Sequence, residues 1–260
     1  MANKKRKEQL EAFGRLLDIM DELRVKCPWD KIQTFESIRN LTIEEVYELA
    51  DAIIEKDMEN IRKELGDLAL HLVFYAKMGD EEGKFDITGV LNGICEKLIF
   101  RHPHVFSDVK VKDDTEVKEN WEHLKIKEGN RSVLAGVPHS LPALIKANRI
   151  QDKVRSVGFD WDERSQVWEK VQEEVNELQV EIDKGDATTI EAEFGDLLFS
   201  VVNAARLYGI DPETALERTN RKFIKRFKYL EEQVRKSNRS LKEMKLDEMN
   251  VFWEEAKKKD

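Results

Sequence analysis

The sequence predicts an all-α protein made of two tandem copies of one helical module, and three observations carry that reading. Apolar residues recur at spacings of three and four almost throughout the 260 residues, the signature of helices that bury one face. Period-two alternation over a strand's length is scarcely visible. Residues 44–78 also repeat at 173–207, an offset of 129, with 14 identities in 35 positions. Chance would leave about two.

Each element follows from the same pattern. A stripe of Leu10, Phe13, Leu16, Leu17 and Met20 marks a helix near 5–24. The next two are expected near 37–56 and 58–79, the latter striped by Leu65, Leu68, Leu72 and Tyr75, with a turn at Glu55-Lys56-Asp57 between them. Helices near 87–101 and 114–126 complete the first half. The second half repeats the plan near 141–156, 165–184, 187–208, 212–236 and 247–258. There the turn is Lys184-Gly185-Asp186, and Phe194, Leu197, Leu198, Val201 and Val202 form the apolar stripe. One segment has linker character, GNRSVLAGVPHSLP at 129–142, which holds two of the five prolines. The expected organisation is a module at 1–128, a linker, and a second module at 143–260. Further echoes join the halves: Trp29-Asp30 with Trp161-Asp162, Lys97-x-x-x-Arg101 with Lys222-x-x-x-Arg226, and WEHLK at 121–125 with WEEAK at 253–257.

Composition removes several function classes. The 44 Lys and Arg against 53 Asp and Glu give a formal charge of −9, whose field opposes general binding to nucleic acid or an anionic membrane. No run of about 18 apolar residues could span a bilayer, and the basic N-terminus lacks the apolar region of a signal peptide. Cys27 and Cys95 are the two cysteines, too few for a disulfide framework or a cysteine zinc site. A cytoplasmic location is the expectation.

The best-matched part of the repeat is acidic. Glu44, Glu45, Glu48, Glu64 and Asp67 in the first half correspond to Glu173, Glu174, Glu177, Glu193 and Asp196 in the second. E-x-x-E and E-x-x-D each place two carboxylates on neighbouring turns of one helix face, and the 15 intervening residues allow an antiparallel hairpin to join the pairs. Four carboxylates at one spot repel each other unless a cation neutralises them. Oxygen donors without His or Cys select Mg²⁺, with Mn²⁺ as a substitute. Both copies keep a glycine inside the motif, Gly66 and Gly195, which close helix approach or ligand access would explain. Continuing the stripe gives Ser200 and Asn203 in the second copy but His71 and Phe74 in the first, so the second has the wetter groove. Because Glu193 and Asp196 run into LLFSVV, they are expected beside a buried surface.

Cationic partners for an anionic ligand are Lys222 and Arg226, one turn apart, with Lys170 one turn before Glu174. Trp253 is a candidate for stacking on a base, with burial against its own half as the alternative. His102 and His104 read as capping or packing residues around Pro103, and Cys27 as a turn thiol. No Glu-x-x-His pair of the di-iron bundles occurs, and no glycine-rich phosphate loop.

The duplicated carboxylate pattern, with CPWDKIQT at 27–34, KLIFRHPHVF at 97–106, VGFDW at 157–161 and NRKFIKRF at 220–227, resembles the MazG family of nucleoside triphosphate pyrophosphohydrolases over nearly the whole chain. The resemblance implies modules that build four-helix bundles, usually as homodimers. It also implies Mg²⁺-dependent cleavage of a broad range of NTPs and dNTPs to a nucleoside monophosphate and pyrophosphate. It assigns the metal to Glu174, Glu177, Glu193 and Asp196, and nucleotide contacts to Lys170, Lys222, Arg226 and Trp253, to which the stripe adds Asn203. Glu173 or Glu174 is the candidate general base by position. Glu45, Glu48, Glu64 and Asp67 are a candidate second metal site. House-cleaning of nucleotides and lowering of alarmone levels are the roles such a relationship suggests. The competing reading is a Mg²⁺–nucleotide-binding regulator or scaffold without turnover.

Overall fold

The computed structural model describes residues 2–110, 117, 132–161 and 163–259, and the expected helix at 114–126 lies outside them save for residue 117. Among the described residues there are ten α-helices and no strand. The chain forms two compact units, Met1–Val111 and Lys112–Asp260.

In the first unit α1 (Ala2–Lys26) packs on α3 (Met58–Glu81), and α3 pairs with α2 (Phe35–Glu55) as an antiparallel hairpin. Thr34 starts α2 through a capping box, its hydroxyl accepting from Ser37 N–H while its own N–H donates to Ser37 Oγ. Met20, Ile38, Val73, Phe74 and Met78 form the core, flanked by Phe13, Leu16 and Leu17 of the α1 stripe. Leu10, the first residue of that stripe, is exposed. Arg24 ties the end of α1 to the turn before α2 and to the end of α3. It donates to the Asp30 and Gln33 carbonyls and to the Glu81 carboxylate. Then follow α4 (Ile87–Arg101) and the short α5 (Pro103–Phe106), which was not anticipated. His102 stands between them, and its Nδ1 donates to the Leu98 carbonyl at 2.7 Å, a capping role.

In the second unit α6 (Ala143–Arg155) packs on α8 (Ala187–Leu207), which pairs with α7 (Arg164–Lys184). The α7–α8 hairpin reproduces α2–α3: both ends of α7 and the start of α8 fall 129 residues after their counterparts. Two lysines of α6 bind the segment ahead of it, Lys146 donating to the His139 carbonyl and the buried Lys153 to that of Val133. Finally α9 (Pro212–Lys236), capped by Asp211, packs on α10 (Leu246–Lys257) around Leu230, Val234 and Met244.

The apolar stripes of the two hairpins divide between core and surface. In α8, Val202 is buried, but Phe194, Leu198 and Val201 are exposed, Leu198 at 58%. Leu65 and Leu72 of α3 are exposed likewise. The expectation that Glu193 and Asp196 lie beside a buried surface therefore holds only in part: Glu193 is half-buried, whereas Asp196 and half of the following LLFSVV are exposed. Each hairpin is apolar on more than one face, and its own unit covers one of them.

Candidate carboxylate site

The geometry of each site is set by its hairpin turn. In the second unit Gly185 takes the left-handed conformation that ends α7, at φ 83°, and the Asp186 side chain accepts from Thr188 N–H to start α8. The chain thereby reverses within two residues and sets Glu174 and Glu177 of α7 opposite Glu193 of α8. These three carboxylates offer oxygens that all lie within 4.8 Å of one another. Glu45, Glu48 and Glu64 form the same group in the first unit. Asp196 and Asp67, expected as the fourth carboxylates, stand outside these groups of three, although the charge of Asp196 acts on Glu193 and that of Asp67 on Glu45.

Burial and mutual repulsion both act on the side chains' acidity. Desolvation raises the pKa of Glu193, and the carboxylates of Glu177, Asp196 and Glu174 raise it further. Glu45 is raised by desolvation first and then by Asp67, Glu48 and Glu64. Each group therefore has more negative charge than its surroundings neutralise.

Each copy offsets part of that charge with one lysine, drawn from a different helix. In the second unit Lys170 of α7 reaches both Glu174 (2.7 Å) and Glu173 (2.8 Å), and these bonds drive its own pKa upward. Both candidate base carboxylates thus share one ammonium. In the first unit the donor is Lys63 of α3, 3.0 Å from Glu64 Oε1. Glu64 is only 4% exposed, and its other oxygen is buried without a hydrogen-bond partner. A buried carboxylate with one orphaned oxygen, grouped with two other carboxylates, suits a cation.

The stripes beyond the carboxylates differ. In the first copy His71 and Phe74 are buried, and desolvation lowers the His71 pKa against a smaller upward pull from Asp67. In the second copy Glu193 and Asn203 are half-buried and Asp196 is exposed, with Ser200 buried between them. A Cβ at Gly66 or Gly195 would meet nothing within 4 Å, so close helix approach is not what these glycines serve in the described structure.

Lys222 is exposed on α9. Arg226, one turn on, places its guanidinium over the Trp253 ring of α10, 5.9 Å from the centroid, and Phe223 packs on the same indole at 5.0 Å. Asn203 meets Arg206: its amide oxygen accepts from Nε at 3.0 Å and Nη2 at 2.8 Å, and Arg206 in turn holds Asp160. Neither Arg206 nor Asp160 was singled out from sequence. Asp160 sits inside VGFDW, whereas Arg206 lies at the end of an apolar run and had no signal of its own.

Comparison with known proteins agrees with this arrangement. The family model described as the MazG nucleotide pyrophosphohydrolase domain matches twice, at residues 33–106 and 163–230. The chain is 42% identical to a nucleoside triphosphate pyrophosphohydrolase of Escherichia coli K12, over 96% of this chain and 99% of that one. It is also 42% identical to the Thermotoga maritima protein named nucleoside triphosphate pyrophosphohydrolase/pyrophosphatase MazG, over 94% of this chain and 95% of that one. To the Bacillus subtilis protein YabN it is 45% identical over 94% of its own length and 51% of YabN's. Two hairpins with corresponding carboxylate groups, each inside a matched segment, make the chain a member of the MazG family with two of its domains in tandem.

Proposed function

We propose that the protein hydrolyses nucleoside triphosphates to the monophosphate and pyrophosphate, with broad tolerance of base and sugar, and that the second domain is the working one. The observation that carries this is the three-carboxylate group of Glu174, Glu177 and Glu193 on a wet groove, in a chain of this family. Glu174, Glu177, Glu193 and Asp196 are the residues that would hold Mg²⁺, or Mn²⁺ in its place; their all-oxygen donor set and the upward-shifted Glu193 fit such an ion. When bound, the ion supplies positive charge that offsets the phosphates and makes the α-phosphorus easier to attack.

The chain's own residues do the rest. Glu174 belongs to the carboxylate group, which leaves Glu173 as the base that takes the proton of the attacking water, with Glu174 as its alternate. Lys170 holds both in place. Lys222 and Arg226 take the charge that develops on the pyrophosphate leaving group, and Trp253 fixes Arg226 from behind. Glu45, Glu48, Glu64 and Asp67 form a second cation site in the first domain, for which the orphaned Glu64 oxygen is the support. The exposed apolar residues Phe194, Leu198 and Val201 support a homodimer in which a second copy completes a four-helix bundle. No described helix is long and apolar enough to cross a membrane.

Pyrophosphate release from the eight common NTPs and dNTPs with Mg²⁺ tests the reading, with Asp196→Asn and Asp67→Asn alongside. Loss confined to Asp196→Asn is the expected result. Loss in both would assign turnover to coupled sites, and no turnover in the wild type would leave a nucleotide-binding regulator.

A further inference from the structure

Each carboxylate group has one lysine beside it, and the two lysines are held differently. Lys170 stands three and four residues before Glu173 and Glu174 on α7, the spacing at which helical side chains meet, and its ammonium lies 2.8 and 2.7 Å from them. Lys63 is the sequence neighbour of Glu64, and adjacent residues on a helix do not face each other. Its ammonium meets Glu64 Oε1 at 3.0 Å, and its side chain is 63% exposed against 35% for Lys170. Lys63 is therefore the weaker counter-ion.

Burial sets the two groups apart in the same direction. Glu64 is buried and its Oε2 has no partner; among the described residues no other carboxylate oxygen is in that position. His71 and Phe74, the stripe beyond it, are buried as well. In the second group Glu174 is the buried member, and it is the one that Lys170 reaches. Glu177 is exposed and Glu193 half-buried, so water serves both. A buried acceptor demands a partner, and a charged one demands a counter-charge. The second group meets that demand from within the chain, and the first leaves it open.

We propose that the two lysines set the order in which the sites load. The first domain holds a divalent cation in the resting protein, with no nucleotide present, whereas in the second Lys170 stands in for the cation until substrate phosphates bring one. The first site is a constitutive one that stabilises its own hairpin. Loading of the second is linked to substrate, because an ammonium displaced from Glu173 and Glu174 is free to meet an anion. Lys170 thus opposes a lone cation and favours a cation paired with a polyphosphate. The second half of this proposal rests on the pyrophosphohydrolase reading above; the first half does not.

Equilibrium dialysis of the chelator-treated full-length protein against Mn²⁺ counts the ions held per chain. Without nucleotide, the wild type is expected to bind one Mn²⁺ about tenfold more tightly than a second. Glu64→Gln should remove the tight site, and so should Glu48→Gln, at an exposed position that folding does not need. Glu177→Gln should leave it. Lys170→Met should tighten the second Mn²⁺ about fivefold, and combining it with Glu177→Gln should take that ion away again. At a Mn²⁺ concentration where the wild type holds one ion, α,β-methylene-ATP, which resists cleavage between those phosphates, should bring in the second. Two equivalent sites, no bound Mn²⁺, or a tight site that is lost in Glu177→Gln and kept in Glu48→Gln overturns the order. A second Mn²⁺ bound no more tightly in Lys170→Met overturns the part given to that lysine. So does retention of the labelled analogue without a second ion. If the analogue is not retained and the wild type releases no pyrophosphate from any NTP, the functional reading fails instead, and the nucleotide-free titrations still decide the first site and the competition by Lys170.

Discussion

Lys56 and Gly185 occupy the same left-handed turn in the two hairpins, at φ 58° and φ 83°. Each follows the last residue of a helix, and each precedes an aspartate that caps the next one. Only glycine enters that conformation without strain from a Cβ.

Lys56→Gly should therefore stabilise the first unit by about 0.5–1 kcal/mol, the relief of strain less the extra freedom that glycine gives the unfolded chain. Chemical denaturation of the two proteins measures it. Gly185→Lys should cost a similar amount in the second unit.

Glu193 is expected to make the metal-free protein's stability fall with pH. Its folded pKa lies above the unfolded value, so the unfolded state loses its proton first as pH rises. Stability is then fully present below the ordinary carboxylate range and is lost as pH rises through the raised value. Glu193→Gln should remove that slope and raise the melting temperature of the metal-free protein at neutral pH. It should also remove the second domain's share of the gain on adding Mg²⁺ and abolish the pyrophosphate release. Thermal melts across pH, with and without Mg²⁺, read all but the last.

Lys170→Met leaves the buried Glu174 without its ammonium. The expected cost in metal-free protein is about 1 kcal/mol, kept small because the lysine is partly open to water. Saturating Mg²⁺ should recover most of it, as a second cation takes over the neutralisation. Denaturation midpoints with and without the metal give the comparison.

Arg206→Met breaks bonds to both Asp160 and Asn203 at a buried site and should destabilise the second unit by about 2–3 kcal/mol. Asp160→Asn should cost less, since the amide can still accept from the guanidinium. Hydrogen exchange along α8 locates the loss.

Much of this was legible before any coordinates. Local periodicity placed the hairpins, because a helix's apolar spacing is written in adjacent residues. The repeat then placed Glu174, Glu177 and Glu193 together, because a hairpin of fixed length leaves carboxylates at fixed positions little choice. What could not be read depends on partners far apart in sequence. Gln151 is one amide among many until α8 brings the Phe199 carbonyl to it across 48 residues. The glycines were read only in part: Gly66 and Gly195, kept in both copies, suggested close helix approach or ligand access, and a Cβ at either would meet nothing within 4 Å, which leaves no close approach in the described structure. Exposure of Leu198 was equally hidden, since periodicity reports that a face is apolar and not which neighbour covers it.

The two lysines carry a consequence for engineering. Leu41 stands where the second domain has Lys170 and packs against the core, while Ala192 stands where the first has Lys63. The two copies thus offset part of their carboxylate charge with one lysine each, placed on different helices. Of the four ways a consensus domain could combine these two positions, two never occur in this chain: both lysines, or neither. In those two combinations the cation affinity would depart from both parents, in opposite directions, so the halves of this chain are not templates for one another's charge.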